Sequence, residues 1–189
     1  METVIRRELI TDKRICRIFA AGVFIIFTTL SAFVRIPLPF TPVPFTLQTF
    51  FVLLSGALLG RKLGVFTQCS YMFLGLTGLS VFTGSGSGAL YLLGPTGGYI
   101  VGFIFSSFLA ARLFEKEEKN HLIIFLRFLS ADIIILASGM LWLKVSLSCS
   151  LSQAFLIGFF PFLLGNVFKI ILAVIVYRSM HSRIKAILY

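Results

Sequence analysis

The feature that most constrains the fold is an unbroken run of 49 residues, 63–111, that contains no charged side chain. About 20 apolar residues are enough to cross the hydrocarbon core of a bilayer, so this run is too long for one span. It must therefore fold back, and the glycine-rich stretch GLTGLSVFTGSGSGALYLLGPTGG at 75–98 marks the place. The run predicts two membrane helices joined by an irregular loop.

The composition of the whole chain indicates an integral membrane protein. Hydrophobic residues make up 58% of it and charged residues only 13%, whereas soluble domains carry about a quarter charged residues. We predict an all-α fold, a single membrane domain over residues 1–189. Its six spans are expected at 18–34, 46–60, 63–76, 97–114, 121–143 and 154–177.

The distribution of basic residues predicts the topology. With six spans and both termini in the cytoplasm, fourteen of the 17 lysines and arginines fall on the cytoplasmic side, as the positive-inside rule requires. Only Arg35 and Lys144 fall outside. This asymmetry accounts for the net charge of +10 without nucleic acid as a partner. The basic start of the chain resembles a signal peptide, but no small-residue cleavage site follows, so we expect a retained first span.

Both irregular loops lie on the outer side in this topology. The first, RIPLPFTPVPF at 35–45, holds four prolines that forbid a regular helix. Irregular backbone at membrane depth survives only against protein or a water-filled cavity. We therefore interpret the two loops as lids over a pocket. The alternative is that they only connect helices.

Lys169 is the first candidate for a binding residue, because it interrupts the long apolar sequence of the sixth span. A charge at the bilayer centre costs about 2.5–3.5 kcal/mol on insertion scales. Snorkelling to the surface is the alternative, but Lys169 lies about 13 Å from Arg178 by helical rise. Asn166 shares its helix face. The pair predicts a site for a small molecule with a carboxylate and amide-like groups.

Asp132 is the second charge predicted inside the membrane. Its position in the fifth span places it at a depth similar to that of Lys169, so an ion pair between them is one interpretation. Such a pair could be structural or belong to the binding site.

Neutral candidates lie near the outer mouth. Gln48, Thr46 and Thr41 offer hydrogen-bonding groups, and Phe82 and Tyr91 could wall the pocket. The alternative for Gln48 is a bond to a neighbouring helix.

Several patterns bear on partners and on catalysis. Small residues recur every four positions in the fourth span, which indicates close packing, internal or toward a partner; they are Gly98, Gly102, Ser106 and Ala110. The chain has no phosphate-binding loop, so it cannot hydrolyse ATP itself. Neither a metal-ligand cluster nor a nucleophile–base arrangement appears, and no cofactor is expected. An enzyme is therefore disfavoured.

Four blocks resemble the BioY family, the biotin-specific substrate-binding components of energy-coupling-factor (ECF) transporters. They are PVPFTLQTFFVLLSGALLG at 42–60, GLSVFTGSGSG at 78–88, GPTGGYIVGF at 94–103 and PFLLGNVFK at 161–169. The blocks occur in order, and the resemblance covers nearly the whole chain.

The resemblance implies a six-helix protein of the bacterial cell membrane whose biotin pocket opens outward beneath the two loops. A transmembrane coupling subunit and a pair of cytoplasmic ATPases would supply the energy. Lys169 matches a lysine that contacts biotin in the family, and Asn166 stands where the family usually has an acid, a charge that Asp132 could supply. Small residues of the first helix, here approximated by Cys16 and Ala20, often dock the coupling subunit.

Three other interpretations stay open at this point. The chain could bind another vitamin with the same architecture, or act alone as a facilitator or channel. It could also be a structural membrane protein that assembles through the small residues of the fourth span.

Overall fold

The computed structural model describes residues 13–188 of the chain. Four helices within this range are long and apolar enough to cross a membrane, and a fifth, Gly97–Leu113, is apolar but shorter. The predicted helical membrane protein is thereby confirmed. In chain order the helices are α1 Lys13–Phe33, α2 Gln48–Leu76, α3 Gly88–Leu93, α4 Gly97–Leu113, α5 His121–Ser146, α6 Leu151–Gly158 and α7 Phe162–Leu188.

Some of the predictions concern the ends of the chain. Arg6 and Arg7, which contribute to the predicted topology, lie outside the described residues, as do the first and last residues of the predicted domain. The fourth and fifth predicted spans begin at the same residues as α4 and α5. The first begins five residues later than α1, which includes Lys13, Arg14 and Arg17.

Helix α2 reverses direction at one residue. Gly60 has φ 76° and ψ 178° and separates two helical segments, 48–59 and 61–76. The segments lie side by side, because Gln48 bonds to Tyr71 and Ser55 bonds to Gln68 across them. They correspond to the predicted second and third spans. Arg61 and Lys62, which the sequence placed between the spans, belong to the second segment.

Replacing Gly60 with alanine is expected to destabilise the protein by about 1–3 kcal/mol. Its dihedral angles lie in a region that only glycine adopts without strain. Thermal unfolding in detergent would measure the loss. Gly22→Ala is the matched control, because a Cβ there meets nothing within 4 Å and alanine favours a helix interior. Equal unfolding temperatures for the Gly60→Ala protein and the unchanged protein would contradict the conclusion that the turn requires glycine at this position.

The proline-rich segment after α1 departs from the predicted all-α fold. Two short strands, β1 Arg35–Ile36 and β2 Phe45–Thr46, pair in antiparallel fashion, with Arg35 opposite Thr46. The prediction that no helix forms here is correct, because proline lacks a backbone N–H and clashes with the preceding turn. The strand pair returns the chain to the start of α2.

The predicted sixth span, 154–177, is wrong at its beginning. The structure has a separate helix, α6, which ends at Gly158, and α7 starts only at Phe162. Pro161 explains the break, since it cannot continue a helix and disfavours helical backbone in the residue before it. Helix α7 therefore begins just before the polar residues Asn166 and Lys169.

The small residues of α4 pack inside the chain. A Cβ on Gly98 would overlap Trp142 and lie 2.7 Å from the Ser138 carbonyl oxygen, and Gly102 meets the same face of α5. Ser106 and Ala110 are fully buried. Of the two alternatives for this stripe, the structure therefore shows internal packing, and the predicted partner-docking role of these four residues has no exposed surface to act through.

Candidate ligand-binding site

Lys169 points into the protein. The side chain is on α7, and the residue is only 7% exposed. Its Nζ donates to the backbone oxygen of Thr46 at 3.1 Å and to the Thr49 hydroxyl at 2.5 Å. The nitrogen also lies 4.2 Å from the centre of the Phe45 ring, close enough for a cation–π contact. Snorkelling to the membrane surface is therefore excluded.

Asn166 lies nearly one helical turn before Lys169 on the same face. Its Nδ2 donates to Oδ2 of Asp132, on α5, at 2.6 Å. Both residues are buried, at 3% and 2% exposure. A buried carboxylate needs such partners, because an unpaired charge away from water is costly.

The suggested Asp132–Lys169 ion pair is not formed in the structure. Among the described residues, the ion pairs within 4 Å all involve glutamates, namely Glu115, Glu117 and Glu118. Asp132 instead accepts from Asn166, and Lys169 reaches across to the start of α2. The two charges are therefore linked through the neighbouring turn of α7 and not by direct contact.

Gln48 is the centre of a second polar group. Its Nε2 donates to the Tyr71 hydroxyl at 2.6 Å. Its Oε1 accepts from the hydroxyls of Thr83 at 2.9 Å and Thr46 at 3.3 Å. The Tyr91 hydroxyl in turn donates to the Thr83 carbonyl. The side chain thus joins the start of α2 to the loop between α2 and α4.

Several of these polar residues border one cavity. The empty space in and around it, including space open to solvent, is about 510 Å³. Lys169, Asn166 and Thr49 form one polar part, and Gln48 and Thr83 form another. The remaining lining residues are mostly apolar or aromatic: Val43, Pro44, Phe45, Thr46, Tyr91, Thr96, Tyr99, Ile100, Phe103, Ile135, Leu136 and Phe162. Such a mixture is typical of small-molecule sites, in which a few polar groups orient the ligand.

Five of the eight predicted ligand-binding residues line this cavity: Lys169, Asn166, Gln48, Thr46 and Tyr91. The other three do not. Thr41 accepts a bond from the Val43 backbone within the proline segment. Phe82 is fully buried, and its ring packs against Tyr91 and Tyr71. Asp132 lies behind Asn166.

Sequence reasoning missed several lining residues. Thr49 and Thr83 are single hydroxyls in ordinary surroundings, and nothing local distinguishes them. Tyr99 could have been found from the sequence, because it belongs to the GPTGGY block. Its hydroxyl donates to the Gly158 carbonyl at 2.5 Å, which joins α4 to the end of α6.

The two small residues of α1 lie elsewhere. Cys16 and Ala20 are half-buried and border an apolar groove between α1, α2 and α7, which shares no lining residue with the cavity.

Comparison with known proteins decides the family. The sequence profile of the BioY family matches residues 6–186. The chain belongs to the BioY family. A "Biotin transporter BioY" of Thermotoga maritima is 37% identical over 85% of this chain and 92% of that protein. A "Probable biotin transporter BioY" of Lysinibacillus sphaericus is 40% identical over 73% of this chain and 72% of that protein.

One solved structure has the same fold. It is described as the S-component for biotin from an ECF-type ABC transporter, and it matches with a TM-score of 0.85 and 28% identity. The match covers 91% of this chain and 94% of that one. Members of the BioY family are transporter components and not enzymes, and membership therefore places this chain in membrane transport.

Proposed function

We propose that this chain captures biotin at the outer surface of a bacterial cell membrane, as the substrate-binding component of an ECF-type transporter. The observation that carries the proposal is the buried ammonium of Lys169 beside Asn166 in the cavity. The biotin valerate carboxylate would bind Lys169. The ureido ring would lie near Asn166 and Gln48, between the apolar and aromatic side chains.

The topology of the proposal is six spans in one domain, with both termini in the cytoplasm. The two antiparallel segments of α2 supply two of the spans, and α1, α4, α5 and α7 supply the others. This arrangement puts the proline segment and the loop between α2 and α4 on the outer side, above the cavity. Accessibility of single cysteines introduced at positions 35 and 144 to a membrane-impermeant reagent would test it.

Energy for uptake would come from partners. Because the chain lacks a phosphate-binding loop, a transmembrane coupling subunit and two cytoplasmic ATPases would drive reorientation and release. Cys16 and Ala20, which border the apolar groove between α1, α2 and α7, are the proposed contact with the coupling subunit. Uptake by the isolated chain in liposomes, without ATPases, would instead indicate a facilitator.

Biotin at 100 times its dissociation constant should stabilise the purified chain by about 2.7 kcal/mol, because ligand binding favours the folded state by mass action. Thermal unfolding in detergent measures the shift, and labelled-biotin binding gives the dissociation constant. Thiamine and riboflavin, which lack a carboxylate, serve as controls and should give no shift. A shift with either of them but not with biotin would identify a component for another vitamin.

A further inference from the structure

We propose that Asp132 sets the ligand preference of the site without touching the ligand, by fixing which end of the Asn166 amide faces the cavity. The inference rests on the proposed function, since it concerns how the ureido ring is recognised. Three observations support it: the hydrogen bond between Asp132 and Asn166, the missing hydrogen-bond partner of the Asn166 amide oxygen, and the position of the two residues relative to the cavity.

The first observation fixes the amide orientation. An ionised carboxylate has only hydrogen-bond acceptors, whereas an amide has a donating and an accepting end of nearly identical shape. With Oδ2 of Asp132 2.6 Å from the amide, the atom that faces it must be the nitrogen. Without the carboxylate, the Asn166 amide could turn by 180° at little cost.

The second observation identifies the atom left for a ligand. Within residues 13–188, Oδ1 of Asn166 is buried and has no hydrogen-bond partner. Such an atom is uncommon, because a buried acceptor without a partner loses its hydrogen bonds to water and gains none in return. A ligand group that donates a hydrogen bond to this oxygen would therefore be bound more tightly than one that does not.

The third observation gives the direction. Asn166 borders the cavity and Asp132 does not. Since Asp132 holds the amide nitrogen, a ligand that contacts the Asn166 amide would meet its oxygen. That oxygen is an acceptor. The site is thereby matched to a ring N–H, which a ureido group has, and is mismatched to a ring oxygen or an N-alkyl group.

A set of three variants tests the inference: Asp132→Asn, Asn166→Asp, and the double variant, which exchanges the two side chains. Each is measured against biotin and against biotin methylated at the ureido nitrogens. Asp132→Asn should weaken biotin binding about tenfold and leave the methylated analogue unchanged, so the preference for biotin falls about tenfold. Asn166→Asp puts two carboxylates side by side and should lose binding more than 100-fold.

The double variant should recover biotin binding to within about threefold of the unchanged chain, because the amide again donates to the carboxylate and an acceptor again faces the cavity. Unfolding of the four proteins without ligand should show the same recovery of stability. A merely structural role of Asp132 would weaken both ligands equally, and that result would overturn the inference. So would a double variant no better than Asn166→Asp. Failure of the unchanged chain to bind biotin would overturn the proposed function first, and the inference with it.

Discussion

Replacing Lys169 with methionine is expected to weaken biotin binding at least about 100-fold, or about 2.7 kcal/mol. Hydrogen bonds to charged groups contribute about 1.5–3 kcal/mol in proteins, and the carboxylate of the ligand would enter the site without a counter-charge. Methionine keeps the length of the side chain and its apolar stem. Titration of the purified variant with labelled biotin would measure the loss.

Lys144→Met is the matched control, since Lys144 is an exposed lysine near the end of α5. It should bind biotin as tightly as the unchanged chain. Thermal unfolding without ligand is needed as well, because Lys169 also holds Thr46 and Thr49 in place. A folded Lys169→Met protein with unchanged affinity would remove Lys169 from the binding site.

Replacing Gly98 with leucine is expected to destabilise the protein by about 3 kcal/mol or more. Overpacking a core usually costs about 1–3 kcal/mol, and more where the backbone must move. At Gly98 the first added carbon already meets Trp142 and the Ser138 carbonyl of α5. The two helices would have to separate, which would also shift Tyr99 and its bond to Gly158.

Gly22→Leu provides the comparison for this variant. It adds the same atoms to a helix at a position with open space around it, and we expect a change of less than about 0.5 kcal/mol. Denaturation of both variants in detergent, followed by circular dichroism, would measure the difference. If the Gly98→Leu protein unfolds at the same temperature as the Gly22→Leu protein, the close contact between α4 and α5 is absent from the folded protein.

Hydropathy and charge predicted most of the helices, because a segment that crosses lipid must be apolar and must satisfy its backbone hydrogen bonds within a helix. The reversal after Gly60 was predicted, because Arg61 and Lys62 end the apolar run of the second span. The sequence did not predict that Gly60 alone makes the turn and that Arg61 and Lys62 already belong to the next helical segment. The division of the last span into α6 and α7 had a local signal in Pro161, but its effect depends on how the chain packs on either side.

The candidate site was partly predictable for a similar reason. Lys169, Asn166 and Gln48 stand out because polar groups are rare inside a membrane protein. The partner of Asp132 could not be read from depth alone, since it depends on the rotation of α5 about its axis. Phe82 was expected to line the cavity, but its ring instead stacks against Tyr91, which does line it. Tyr71, which holds Gln48, lies too far along the chain for sequence spacing to connect them.

The one-residue turn in α2 determines how far a molecule must travel to reach the cavity. In the proposed topology, Arg61 and Lys62 hold that turn at one face of the bilayer. The segment 48–59 then rises only about 18 Å toward the other face, while the hydrocarbon layer is about 30 Å thick. For an upright helix, Gln48 and the nearby ammonium therefore lie about 12 Å below the opposite face. A solute would cross less than half of the lipid by diffusion, and movement of the protein itself would have to provide the rest.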